Sequence, residues 1–88
     1  MLSPTTNDAE ALALSALAAT LSDERRAQRF LDLTGLSPDG IRERIGERSL
    51  LAAVLSFLES HEPDLIAVAE TVGSKPEVLL AARRELER

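Results

Sequence analysis

Leu50-Leu51-Ala52-Ala53-Val54-Leu55-Ser56-Phe57-Leu58 is the stretch on which the fold turns. Wound as a helix, it carries apolar side chains around most of its circumference, and a helix of that kind sits at the centre of a domain with others packed around it. Its ends are legible. Gly46 precedes it, and His61-Glu62-Pro63 interrupts the chain after it, because proline disfavours helical geometry in the preceding residue and readily opens a new helix. The expected helix covers residues 48–60.

Toward the N-terminus, Ser37 is placed to cap a short helix whose first residue is Pro38, a position where the missing N–H costs nothing. Ile41 and Ile45 are its expected anchors and Gly46 its end. The helix before it should start after Ser22, with Asp23 and Glu24 in the first turn where the dipole favours negative charge, and stop at Gly35. Its inward stripe is Ala27, Phe30, Leu31 and Thr34. The first helix is expected after Asn7, with Glu10 completing a capping-box-like pair, and runs to about residue 20. Leu14, Leu17, Ala18 and Leu21 recur at helical spacing and are its expected core face.

Toward the C-terminus, a helix over residues 63–72 should turn Leu65, Val68, Ala69 and Val72 inward and end at Gly73. Ser74 is placed to cap the last helix with Glu77 as its reciprocal partner, and Val78, Leu79, Ala82 and Leu86 should hold it down. The pattern predicts an all-α fold, a compact bundle of five to six short helices with helix-turn-helix-like joints. Residues 7–88 would form its single domain, and residues 1–6 a disordered tail. Two joints echo each other: Gly35-Leu36-Ser37-Pro38-Asp39 and Gly73-Ser74-Lys75-Pro76-Glu77 both place a proline three residues after a glycine, followed by an acid.

Composition narrows the chemistry. With no cysteine among the 88 residues, disulfides, thiolate zinc sites, iron–sulfur clusters and a cysteine nucleophile are closed. Phe30 and Phe57 are the only aromatic residues, so the core must be leucine and alanine, both strong helix formers. The net charge of −5 argues against nucleic acid and anionic membrane as partners. That charge is uneven: residues 1–24 carry −4, 25–48 carry +2, 49–77 carry −4 and 78–88 carry +1. The N-terminus lacks a basic segment and an uncharged apolar run, and no stretch reaches the roughly 20 apolar residues of a membrane span, so a cytoplasmic protein is expected.

The run Arg29-Phe30-Leu31-Asp32-Leu33-Thr34-Gly35-Leu36-Ser37-Pro38 is followed by Ile41-Arg42, Leu51-Ala52-Ala53-Val54-Leu55-Ser56-Phe57-Leu58, Glu62-Pro63, Gly73 and Pro76-Glu77. Together these resemble the short helical proteins known as domain of unknown function 3572. The resemblance spans nearly the whole chain from Ala9 onward. It implies a small, stand-alone helical protein of alphaproteobacteria, cytosolic, with no assigned activity and no catalytic residues to carry over.

No residue set reads as a catalytic or metal site. His61 lies among Glu59, Glu62 and Asp64, but a helical zinc site needs a second histidine one turn on, and Leu65 stands there. The serines fall within helices or at caps, and none has a base beside it in any motif. Neither an enzyme nor a cofactor is expected. Two binding readings remain. The acids Glu59, Glu62, Asp64 and Glu70, with no base among them, would suit a basic protein partner. Leu12, Leu33, Leu50, Leu51, Leu55, Leu58 and Leu80 also exceed what so small a domain can hide, leaving surface for a partner or a second copy. The alternative threads residues 65–86 onto a helix-turn-helix pattern, with Lys75, Arg83, Arg84 and Arg88 available for phosphates.

Overall fold

Six helices in the computed structural model account for most of the chain: α1 (Thr6–Leu21), α2 (Glu24–Thr34), α3 (Pro38–Glu43), α4 (Arg48–Glu59), α5 (Glu62–Val72) and α6 (Pro76–Leu86). The structure describes residues 6–88, and no strand occurs among them. The tail expected over residues 1–6 otherwise lies outside the described residues, but Thr6 is already helical.

α4 is central, as its apolar circumference requires. Leu50, Leu51, Ala52, Val54, Leu55, Phe57 and Leu58 are all buried, and α1, α2, α5 and α6 all pack against it. Phe30 of α2 meets Phe57 edge to face, ring centroids 5.3 Å apart at 71°, the arrangement the ring quadrupoles favour. The radius of gyration, 12.0 Å, matches the roughly 12 Å of a compact chain this long.

α1 packs on α4, α5 and α6 through small side chains. Ala9, Ala13, Ala16, Ala19 and Thr20 are buried with Leu17, and the Thr20 hydroxyl donates to the Ala16 carbonyl at 2.7 Å. The core face expected at Leu14, Leu17, Ala18 and Leu21 is therefore rotated: only Leu17 is buried, and Leu14, Ala18 and Leu21 face outward. Alanine brings three neighbouring helices closer than leucine could, and that closeness decides which face turns inward.

The joints follow hydrogen-bond accounting. Gly35 and Gly73 both take φ 73°, the left-handed region that glycine enters without steric cost. Gly35 donates to the Leu31 carbonyl (2.8 Å), a single-bond closure. At Gly73 the turn closes with two bonds, Gly73 N–H to Glu70 and Ser74 N–H to Ala69, the Schellman pattern. Ser37 caps α3 as expected, accepting from the Gly40 N–H at 3.0 Å.

Five expectations need correction. The first helix is expected to begin after Asn7, but α1 starts at Thr6, so Asn7 is already within it. Asp23, not Ser22, caps α2, accepting the Arg26 N–H at 2.9 Å, while the Ser22 hydroxyl turns back to the Ala19 carbonyl. Ser74 belongs to the turn; Lys75 occupies the cap position of α6 and gives no side-chain bond. α3 ends at Glu43, so Ile45 lies past it and is 44 % exposed, leaving Ile41 as the helix's one buried side chain. On α6, Leu79, Ala82 and Leu86 are buried, but Val78 faces outward.

Candidate functional site

The four acids singled out from the sequence do not form one open patch. Asp64 is buried in the first turn of α5. Its Oδ1 accepts from Arg26 Nε at 3.5 Å, and its Oδ2 pairs with Arg29. Arg26 also donates to the Ala19 carbonyl at 3.0 Å, so one network fastens the C-terminal end of α1, the face of α2 and the start of α5. Glu59 pairs with Arg83 Nε at 2.6 Å. Glu62 and Glu70 stay exposed and pair with no cation among the described residues.

The basic set is similarly divided. Arg83 is held between Glu59 and Glu87, both at 2.6 Å, and Arg88 reaches Glu85 at 3.1 Å. Lys75 and Arg84 pair with no acid among the described residues, but they stand nine positions apart, Lys75 at the cap of α6 and Arg84 in its last turn. Arg48 turned out to be structural: its Nη2 donates to the carbonyls of Glu85 and Leu86, at 3.0 and 3.2 Å, closing the C-terminal end of α6. Asp23 has its pKa held below the ordinary 3.8 by the bond from the Arg26 backbone N–H, helped by the charges of Arg26 and Arg29. Among the described residues, no group of three or more His, Asp or Glu side chains is placed to hold a metal ion.

What the fold does assemble is an apolar groove of about 310 Å³. Leu14, Leu17, Ala18 and Leu21 form the α1 wall, Leu31 of α2 closes one side, and Pro38, Ile41, Arg42 and Ile45 form the opposite wall. Leu14, Leu21 and Ile45 are three of the large apolar side chains left exposed on the molecule, with Leu33, Ile66 and Val78 elsewhere. Arg42 is the one charged residue of the lining. It pairs with Asp39 one turn back, both side chains lying in solvent. Large apolar side chains do stay exposed, but apart from Leu33 they are not the leucines expected. Of the seven leucines expected to overflow, Leu50, Leu51, Leu55 and Leu58 are buried, Leu12 and Leu80 are half-buried, and only Leu33 is exposed, at 71 %.

The signal that could have located the groove was a second apolar stripe on the first helix. Ala9, Ala13, Ala16 and Thr20 compete with Leu14, Ala18 and Leu21 for the core, and whichever stripe loses is presented to solvent.

The chain is thus a small six-helix domain with an apolar groove and no assembled reactive centre among the described residues. It belongs to the family described as "Protein of unknown function (DUF3572)", whose model matches residues 6–88. Neither a curated protein nor a solved structure matches it significantly. No helix of the described residues is long and apolar enough to cross a membrane.

Proposed function

We propose that this protein is a non-catalytic, cytoplasmic protein-interaction module whose binding surface is the groove between α1 and α3. The observation that carries the reading is the convergence of Leu14, Leu21 and Ile45, exposed and apolar, on one depression whose lining holds a single charge. Apolar side chains scattered singly over a surface need no explanation, but several lining one concavity of this size are the first place to seek a binding site. The absence of catalysis is supported by how the polar groups are used: the Ser22 and Ser60 hydroxyls donate to backbone carbonyls, Ser37 caps a helix, and Asp64 is held by two arginines.

The test is site-specific photocrosslinking in the protein's own cells. A photoreactive residue at position 14 or 45 should capture a discrete protein band, and one at exposed Glu77 should not. Equal capture at all three positions, or none at any, would end the proposal.

A further inference from the structure

We infer that the groove receives an amphipathic helix of a partner protein, seated by three apolar anchors and oriented by a carboxylate that meets Arg42. The inference rests on the interaction-module reading and adds the chemistry of the partner. The α1 wall presents Leu14, Ala18 and Leu21 at positions i, i+4 and i+7, and the opposite wall presents Ile41 of α3 and Ile45 from the turn that follows it. The α1 wall, a helical face spanning about 10 Å of axis, matches the rise of a partner helix with anchors at the same spacing.

A second copy of this chain is the poorer occupant. A stable interface takes about 800 Å² and 20–30 residues from each partner, and the groove offers nine residues on a molecule of 5391 Å². One face of a helix is what so narrow a strip accommodates.

Charge sets the partner's sign. The lining contains no acid. A basic side chain brought to its rim would face the Arg42 guanidinium, and an acidic one would pair with it. Asp39 holds Arg42 in the free protein, but an exposed pair of this kind is weak and the guanidinium has further donors to offer. Arg25, in the adjoining depression that shares Leu21 and Leu31, pairs with no acid among the described residues, although Glu24 stands beside it. Glu43 stands beside Arg42 on α3 but does not line the groove, and the acids Glu59, Glu62 and Glu70 are on other helices.

The test is selection from a display library of helical peptides of about 14 residues, roughly four turns. Leucines are fixed at i, i+4 and i+7, other positions are randomised, and the full chain is the target. The selected pool should be enriched in Asp or Glu at a position flanking the anchors. The best peptide should shift amides of residues 14–21 and 38–45, and it should lose binding with Leu14→Ser or Ile45→Ser, whose folding circular dichroism checks. Arg42→Glu should weaken it about tenfold, and replacing the peptide's acid by lysine should restore binding to that variant. Enrichment of lysine and arginine, or indifference to Arg42→Glu, would overturn the acidic partner and leave the interaction module standing. An empty selection, combined with a dimer in sedimentation that Leu14→Ser abolishes, would replace the partner helix by a second copy. An empty selection with a monomer would overturn both readings.

Discussion

A carboxylate taken out of water has to be compensated, and at Asp64 two guanidiniums and the N-terminal turn of α5 do so. Arg26, itself largely covered, would be left with an uncompensated charge if that carboxylate were removed. Asp64→Ala should therefore cost roughly 2–3 kcal/mol, a fall of about 10–20 °C in Tm. Arg29→Ala should cost under about 1 kcal/mol, because Arg29 is partly solvated and its pair is screened. Urea titration of both variants measures the difference, and equal losses would show that Asp64 is held by something other than this network. Asp23 carries a pH signature instead. Its folded pKa lies below the ordinary 3.8 because the charged form accepts the Arg26 N–H. Its contribution is thus complete above that ordinary value and is lost as pH falls through the lower folded value. The urea midpoint should drop on acidification below about pH 4, and Asp23→Asn, which keeps a capping oxygen but cannot ionise, should flatten this part of the profile. An unchanged profile in Asp23→Asn would assign the acid sensitivity to other carboxylates.

α1 has two apolar faces, and its alanine face won the core. Ala16, with no exposure, sits where the helix meets its neighbours, so Ala16→Leu should overpack and destabilise by about 1–3 kcal/mol. Leu14→Ala, at a position 39 % exposed, should cost less than about 1 kcal/mol. Reading the leucines as the core face predicts the reverse order, and thermal melts of the two variants decide between them. The joint before α6 gives a second prediction. The echo between the two glycine–proline joints places the cap on the residue before proline. Ser37 fills that role in the first joint, and Lys75, with no oxygen and the wrong charge for a helix N-terminus, stands there in the second. Lys75→Ser should stabilise by roughly 0.5–1 kcal/mol, and Ser74→Ala should change little, because Ser74 contributes its backbone N–H to the preceding turn. No gain in Lys75→Ser would mean that α6 is held by packing alone. Much of the fold was legible in the sequence because glycine stops, proline starts and the apolar circumference of residues 50–58 are local signals. The orientation of α1 was not, since it depends on how closely α4, α5 and α6 approach, and the groove follows from that orientation. Nor could spacing show that Arg26 and Arg29 would fold onto Asp64, 38 and 35 positions away.

At the scale of the whole molecule, stability is unevenly distributed, and the groove lies at the weak end. Val54 and Leu55 of α4 have no exposure and are enclosed by four other helices, so their amides should exchange with solvent only when the whole domain unfolds. α3 is different. It is six residues long, anchored by Ile41 alone, and its backbone bonds from Ile41 to Ser37 and from Arg44 to Gly40 lie near the surface. A helix so short cannot sustain itself, because its nucleus costs more than one turn returns. Its amides should exchange through local openings far below the global free energy, and their rates should barely respond to low urea, whereas those of Val54 and Leu55 rise with it. Since α3 supplies one wall of the groove, a bound helix at a hundredfold excess over its Kd should add about 2.7 kcal/mol to the native state. That gain should appear first as slowed exchange at Ile41 and Arg44. Native-state hydrogen exchange with and without the selected peptide measures both effects. If Ile41 and Val54 exchange with the same urea dependence in the free protein, α3 opens only with the core, and the groove has two rigid walls.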